Sequence, residues 1–454
     1  MTTQPYACAK CGAQSLKWTG RCLECGAWGS LKEDEEGADS KFQIPNSKFS
    51  AKAGKLQSFG QETASRGKVA STLLPALDLV LGGGLVGGSV TLIAGEPGIG
   101  KSTLIAQAAL ALAKNGKKVI YVTGEESPAQ VHKRLSRLAD PLPAGLVYLD
   151  ETDAAAIAAT LASEKPDLLI VDSVQTVRAP QATGEPGSVS QVKAGAALLT
   201  EAAKRTHAPV LLVGQVTKDG DVAGPRMLEH MVDTVLYLEG DREHRYRILR
   251  VLKHRFGPTD ETALFAMTER GLEPVEDPSS ELLRDRAQDV PGSAVACLIE
   301  GHRPMLIEVQ ALISSAGYGT PLRRATGIDN ARLGMLLAVL ARRAGVNALD
   351  KDVYANAAGG IDARDPSVDL ALAAAIASAV KNAALEAKTI FIGEIGLAGE
   401  LRPVGMPELR LKEAARLGFK RAIIPKRQDK NAPTGMEVVP AATLYEALQK
   451  AGVI

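Results

Sequence analysis

The chain has 454 residues, enough for two to four domains with full apolar cores, which excludes a small stapled peptide. Its 53 Lys and Arg stand against 52 Asp and Glu, so a polyanion has to be gripped by local patches, and a histone-like coat is excluded. The start MTTQPYACAKCG has no basic end followed by an apolar run, and no stretch of about 18 uncharged apolar residues suits a bilayer, so the expectation is a cytoplasmic globular protein with no membrane partner.

Residues 1–30 read as a zinc finger. Cys8, Cys11, Cys22 and Cys25 form Cys-x2-Cys, ten residues, then Cys-x2-Cys. All-thiolate pairs at this spacing suit tetrahedral zinc in a closed structural site, in a segment too small to fold by apolar burial alone; an iron–sulfur or redox centre is the alternative. Lys10, Lys17 and Arg21 lie among these ligands with Trp18 and Trp28. The tryptophans either cover the metal or meet phosphates and bases. Residues 31–65 are polar and aperiodic and read as a linker.

From 66 to 275, apolar strand-like runs (SVTLIAG, KKVIYVTGEE, DLLIVDS, APVLLVGQ, TVLYLEG) alternate with helix-like stretches. This predicts an α/β domain with a mainly parallel buried sheet. Inside it Gly95, Glu96, Pro97, Gly98, Ile99, Gly100, Lys101 and Ser102 fit G-x-x-x-x-G-K-[ST], with Thr103 behind, between a strand and a helix. Glycines let backbone N–H groups turn inward as an anion nest, Lys101 reaches the terminal phosphates of ATP, and the Ser102 hydroxyl ligates magnesium. Asp172, closing DLLIVD, is the second expected magnesium ligand. Glu125 or Glu126 is the candidate for orienting the attacking water, and Gln215 for sensing the terminal phosphate. The stretches 178–193 and 216–226 read as ligand loops, with Arg178, Lys193, Lys218 and Arg226 as their cations.

Residues 276–454 read as a second α/β unit: paired strands over GSAVACLIEGHRPMLIEVQALIS, helices over RLGMLLAVLARRAG and VDLALAAAIASAVKNAAL, and a hairpin in TIFIGEIGLAGELRPV. Cys297, alone in an apolar run, reads as buried core.

These parts resemble, over nearly the whole chain, the bacterial RadA/Sms DNA-repair ATPases, relatives of RecA and of ring helicases. The resemblance rests on the four-cysteine finger, the run LDLVLGGGLVGGSVTLIAGEPGIGKST, the pentapeptide KHRFG at 253–257 and a tail similar to the Lon protease. It implies a RecA-like P-loop core and a Lon-protease-like carboxy-terminal domain. It further implies a DNA-dependent, helicase-like ATPase of recombinational repair, working on single-stranded and branched DNA with a recombinase partner as a homo-oligomeric, hexameric ring. The family signature is Lys-Asn-Arg-Phe-Gly, so His254 departs from it, while Lys253 and Arg255 are implied to act on nucleotide across a subunit interface. Glu125 fits the catalytic glutamate of the RecA class better than Glu126. In the tail Ser367 stands where Lon has its nucleophile, but the position of Lon's lysine falls on Glu408, which speaks against a Lon-like ATP-dependent peptidase. A RecA-like signalling ATPase that does not act on DNA is the other alternative. Arg323 and Arg324, with Arg342 and Arg343, are further candidate phosphate contacts.

Overall fold

The computed structural model describes residues 6–10, 14–15, 17–22, 26–33, 68–215, 225–240, 245–317, 319–428 and 433–454. Two compact units divide the chain, residues 1–60 and 61–454. In the first, strand Tyr6–Cys8 pairs antiparallel with Gln14–Ser15 on one side and Leu31–Glu33 on the other.

The second unit opens on a nine-stranded sheet. Its spatial order is Gly271–Pro274, Thr262–Thr268, Tyr246–His254, Thr234–Glu239, Val90–Gly95, Val210–Gln215, Leu168–Asp172, Val119–Thr123, Leu146–Asp150. The six strands from Thr234–Glu239 to Leu146–Asp150 are parallel, and the other three return antiparallel.

Side chains alternate between the two sheet faces, as a period of two requires. Ile93, Ile170 and Leu211 join one core with helices Pro75–Val80, Lys101–Lys114 and Pro128–Ser136. Leu92, Leu169 and Leu212 join the other with Ala154–Glu164 and Val189–Thr206. The central strands are buried on both faces, which is why they read as unbroken apolar runs. Strand Leu146–Asp150 sits at the edge with Val147 and Tyr148 exposed.

The carboxy-terminal part carries a four-stranded sheet, ordered Ser293–Glu300, Arg303–Ser315, Lys351–Ala357, Arg323–Thr326, and a parallel three-stranded sheet of Thr389–Phe391, Arg421–Pro425 and Glu437–Ala441. Helices Asn330–Val339 and Asp369–Lys381 supply Leu333, Leu336, Leu337, Leu370 and Ile376 to its main core. Ile248 and Leu264 from the long sheet, and Leu282 from helix Pro278–Leu283, belong to that same core, so the two sheets share buried apolar surface. Cys297 is fully buried, as its apolar run suggests, and burial pushes its thiol up to about 12. Among the described residues no helix is long and apolar enough to cross a membrane.

Candidate functional site

Because six strands run parallel, their carboxyl ends share one edge, and the turns after them converge there. Register puts Gly95 beside Gln215 and Leu238, and Thr123 beside Asp172. After Gly95 the chain turns through the glycine loop into helix Lys101–Lys114, which no side chain caps. Gly100, the N-cap residue, has φ of 115°, and a Cβ there would meet Met267 at 2.8 Å. A Cβ on Gly95 would lie 2.3 Å from the Leu238 carbonyl oxygen, so the loop strand could not sit against its neighbour with any other residue. Lys101 is buried and its Nζ donates to the carbonyls of Gly95 (2.9 Å) and Glu96 (2.8 Å), which aims the ammonium into the loop. The buried Arg247 donates from Nε to the Ile99 carbonyl at 3.2 Å and braces the loop from the third antiparallel-side strand; sequence gave no signal for this contact.

Glu125 and Glu126 follow strand Val119–Thr123, and their surroundings separate them. Glu125 is exposed, and its carboxylate accepts from Ser173 Oγ (2.5 Å) and from Gln215 Nε2 (3.0 and 3.1 Å). Glu126 is ion-paired to Arg134 Nη1 at 2.8 Å. Arg134 also donates to Tyr121 Oη (2.8 Å) and lies 3.5 Å from Asp172 Oδ2, while Tyr121 Oη donates to that same oxygen at 2.6 Å. Burial, then the charge of Asp172, raises the Tyr121 phenol well above its ordinary value, so it stays a donor. The loop, Glu125, Gln215 and Asp172 therefore come together; Tyr121, Arg134 and Ser173 complete the group and lack any motif.

Lys253 and Arg255 do not join it. Strand Tyr246–His254 runs antiparallel, so its end lies toward the amino edge: His254 pairs with Thr234, which pairs with Thr91. Thr91 is four residues before Gly95, about 13 Å along the sheet. Lys253 Nζ donates to the carbonyls of Glu229 and Val232 (3.0 Å to the latter), and Arg255 pairs with the buried Asp233 at 3.2 Å. The departing residue, His254, packs its ring against Gly82 and Gly257 and bonds Thr234 through Nδ1 at 3.1 Å.

Of the cations assigned to loops, Arg178 is exposed beyond the sheet, and Lys193 is exposed but stands on helix Val189–Thr206. The expected loop 178–193 thus ends in a helical turn, since Val192, Ala196 and Leu199 recur at helical spacing against the sheet. Lys218 and the Arg226 side chain lie outside the described residues. Arg323 and Arg324 are exposed on an edge strand, and Arg342 and Arg343 are exposed at a helix end.

In the amino-terminal unit Cys8 and Cys22 are both buried and form one small cluster with Leu31, and Cys8 Sγ bonds Ser30 Oγ at 3.2 Å. Two buried thiols in one antiparallel ribbon fit a closed thiolate site. Cys11 and Cys25 lie outside the described residues.

The Lon-like serine is fully buried. Ser367 Oγ donates to the Cys297 carbonyl at 3.0 Å and accepts from Arg410 Nη1 at 2.7 Å, and Arg410 pairs with Asp365 at 2.7 Å. Glu408 is exposed on the first turn of helix Pro407–Arg416. The cation beside the serine is thus a buried guanidinium, which stays protonated and cannot act as a base.

The fold and site define a P-loop ATPase carrying an amino-terminal metal-binding ribbon and a Lon-like tail. Residues 60–221 match the AAA domain family, 6–33 the rubredoxin metal binding domain and 341–428 the ChlI subunit of Mg-chelatase. Proteins named DNA repair protein RadA align from end to end. That of Listeria monocytogenes is 43% identical over 99% of this chain and 98% of that protein, and that of Aquifex aeolicus is 45% identical over 98% of each. That of Pseudomonas aeruginosa is 44% identical over 98% of this chain and 97% of that protein. The chain belongs to the RadA/Sms family of bacterial DNA-repair ATPases, with a RecA-like core.

Two expectations follow from these networks. Arg134→Met removes the cation that pairs Glu126 and lies 3.5 Å from Asp172 Oδ2 and leaves more uncompensated negative charge there, so the magnesium concentration for half-maximal ATPase should fall several-fold while Arg134→Lys keeps it near the parental value; a magnesium titration of both variants checks this. For Asp365, burial opposes ionisation but Arg410 and the Ser367 N–H outweigh it and lower its carboxyl below the ordinary range. Its contribution to stability is therefore full above the unfolded value of about 4 and is lost as pH falls through the depressed one. Asp365→Asn should lower the melting temperature at neutral pH and flatten the acid limb of its pH dependence, as read by calorimetry from pH 7 down to 3.

Proposed function

We propose that the chain is a DNA-dependent ATPase of recombinational repair that remodels or translocates on branched and single-stranded DNA, with ATP hydrolysed between neighbouring subunits of a ring. The observation that carries this reading is the split of the catalytic set across the sheet. Lys101, Glu125, Gln215 and Asp172 converge on the carboxyl edge, whereas Lys253 and Arg255 lie about 13 Å back toward the amino edge. One chain holds an incomplete site, and a head-to-tail neighbour completes it.

The loop N–H groups and Lys101 bind the β- and γ-phosphates. Ser102 and Asp172 would hold magnesium, which would supply neutralisation of phosphate charge. Glu125 sits where it can orient water and accept its proton, and Gln215, bonded to that carboxylate, reports the presence of the terminal phosphate to the strand end. Lys253 and Arg255 from the neighbour meet the charge that develops on the transferred phosphoryl group. Head-to-tail contacts close into a ring if the rotation permits; six subunits is the family expectation. With a net charge of +1, DNA is held by local cations from several subunits: Arg178, Lys193, Lys218 and Arg226 of the core, and Arg323 and Arg324 of the tail. Cys8, Cys11, Cys22 and Cys25 hold one zinc that folds the ribbon. A recombinase partner fits the relatives' repair role.

Lys101→Ala should reduce turnover by at least about a hundredfold, the scale of a lost charge-stabilising donor, with an unchanged circular dichroism spectrum. Parental hydrolysis by that variant would sink the assignment of the loop. For the division between subunits, Lys101→Ala and Arg255→Ala proteins, each weak alone, should regain activity when mixed, because some interfaces then pair an intact loop with an intact finger. No gain in a mixture shown to exchange subunits would return Arg255 to a structural role.

A further inference from the structure

Among its described residues, the amino-terminal ribbon has a small interior. Its buried cluster is Cys8, Cys22 and Leu31, with Tyr6 packed against it. The chain has two tryptophans, both in this ribbon, and neither belongs to that cluster: Trp28 is 79% exposed and Trp18 is 58% exposed. The two largest apolar side chains of a very small fold thus face water, which leaves the reading that they shield the metal without support.

Trp28 is also held in place. It bridges Arg21 through the backbone, and the Gly29 N–H donates to the Gly20 carbonyl at 2.9 Å. Arg21 Nε donates to the Gly26 carbonyl at 2.9 Å, and the guanidinium lies 5.9 Å from the centre of the Trp28 ring. Lys10, Lys17 and Lys32 are exposed on the same ribbon. Over residues 6–33 the sequence has four cations against the two carboxylates Glu24 and Glu33.

An exposed indole next to a guanidinium, on a ribbon that carries three further exposed cations, matches a flat aromatic ligand on an anionic backbone. We propose that this ribbon surface is a stacking platform for the unpaired bases of single-stranded DNA, with Trp28 as the principal ring, Trp18 as a second, and Arg21, Lys10 and Lys17 on the phosphates. Every base has a face to stack, so the platform tolerates sequence; a duplex keeps its base faces covered and meets only the cations. The inference rests on the reading above that the chain works on DNA, and it assigns the ribbon a part in that work.

Both tryptophans lie in the ribbon, so intrinsic tryptophan emission of the full chain reports on this surface and nothing else. Titration with an oligo-dT strand should quench that emission and protect it from acrylamide, and a matched duplex should leave it nearly unchanged. Trp28→Ala should weaken the oligo-dT affinity roughly tenfold, the scale of one lost stacked base, and Trp28→Tyr should retain most of it. Zinc content measured on each variant separates a lost platform from an unfolded ribbon. Emission indifferent to oligo-dT overturns the platform and leaves the tryptophans to a protein partner. ATPase assayed in the same samples tells the two failures apart: stimulation by DNA with unchanged emission removes only the platform, and no stimulation removes the DNA reading as well.

Discussion

Parallel strands end together, and the nucleotide site is a consequence of that one constraint. Gly95, Thr123, Asp172 and Gln215 are the last residues of four adjacent strands, so the loop and the carboxylate that follows Thr123 reach a common edge without any long excursion of the chain. Close packing of the strands fixes the residue types there: the Leu238 carbonyl lies where a side chain on Gly95 would have to go. The same rule sends the antiparallel strand carrying Lys253 the other way. The separation of the basic pentapeptide from the loop is thus built into the strand directions.

In the tail, the serine that stands where Lon has its nucleophile is built into a buried polar network. Arg410 is buried together with Ser367 and bonds Asp365, Ser367 and two backbone carbonyls, of Gly405 and Cys297. A buried guanidinium is costly to desolvate and is tolerable only when its N–H groups are satisfied in this way. Ser367 is fully buried, and the only charged group bonded to its hydroxyl among the described residues is a guanidinium that cannot take up its proton. The Lon-like fold survives here as a packed support whose core also takes in Ile248 and Leu264 of the ATPase sheet.

What could be read from sequence divides along local and non-local lines. The glycine loop was legible because nest, strand and helix are contiguous, and the central strands because burial on both faces leaves an apolar run. Counting put Glu408 where the resemblance expects Lon's lysine, but the role of Arg410, two residues on, was not legible, because only the fold brings it against Ser367. Likewise Tyr121 sits within an apolar strand and Arg134 within an amphipathic helix; their common hold on Asp172 spans 51 and 38 residues. The exposure of Trp28 was undecidable in the same way, since a tryptophan beside metal ligands packs or projects according to turns that carry no pattern of their own. Lys193 was misassigned to a loop because Gly and Pro upstream hid the start of its helix.

The resting partners of the two basic residues add a constraint on any mechanism between subunits. Lys253 donates to the carbonyls of Glu229 and Val232, in the segment that follows residues 216–226, the candidate DNA loop. Arg255 pairs with Asp233, whose other oxygen accepts from the Val90 N–H at 3.0 Å, at the start of the strand that ends in the nucleotide loop. An ammonium has three N–H donors and a guanidinium five, so both residues keep donors beyond these contacts, and a neighbour's phosphate can be met while the anchors hold. On the proposed reading, a neighbour's nucleotide that draws on those donors is linked through two side-chain contacts to the 225–233 segment and to the base of the loop strand, and no rearrangement of the sheet itself is required.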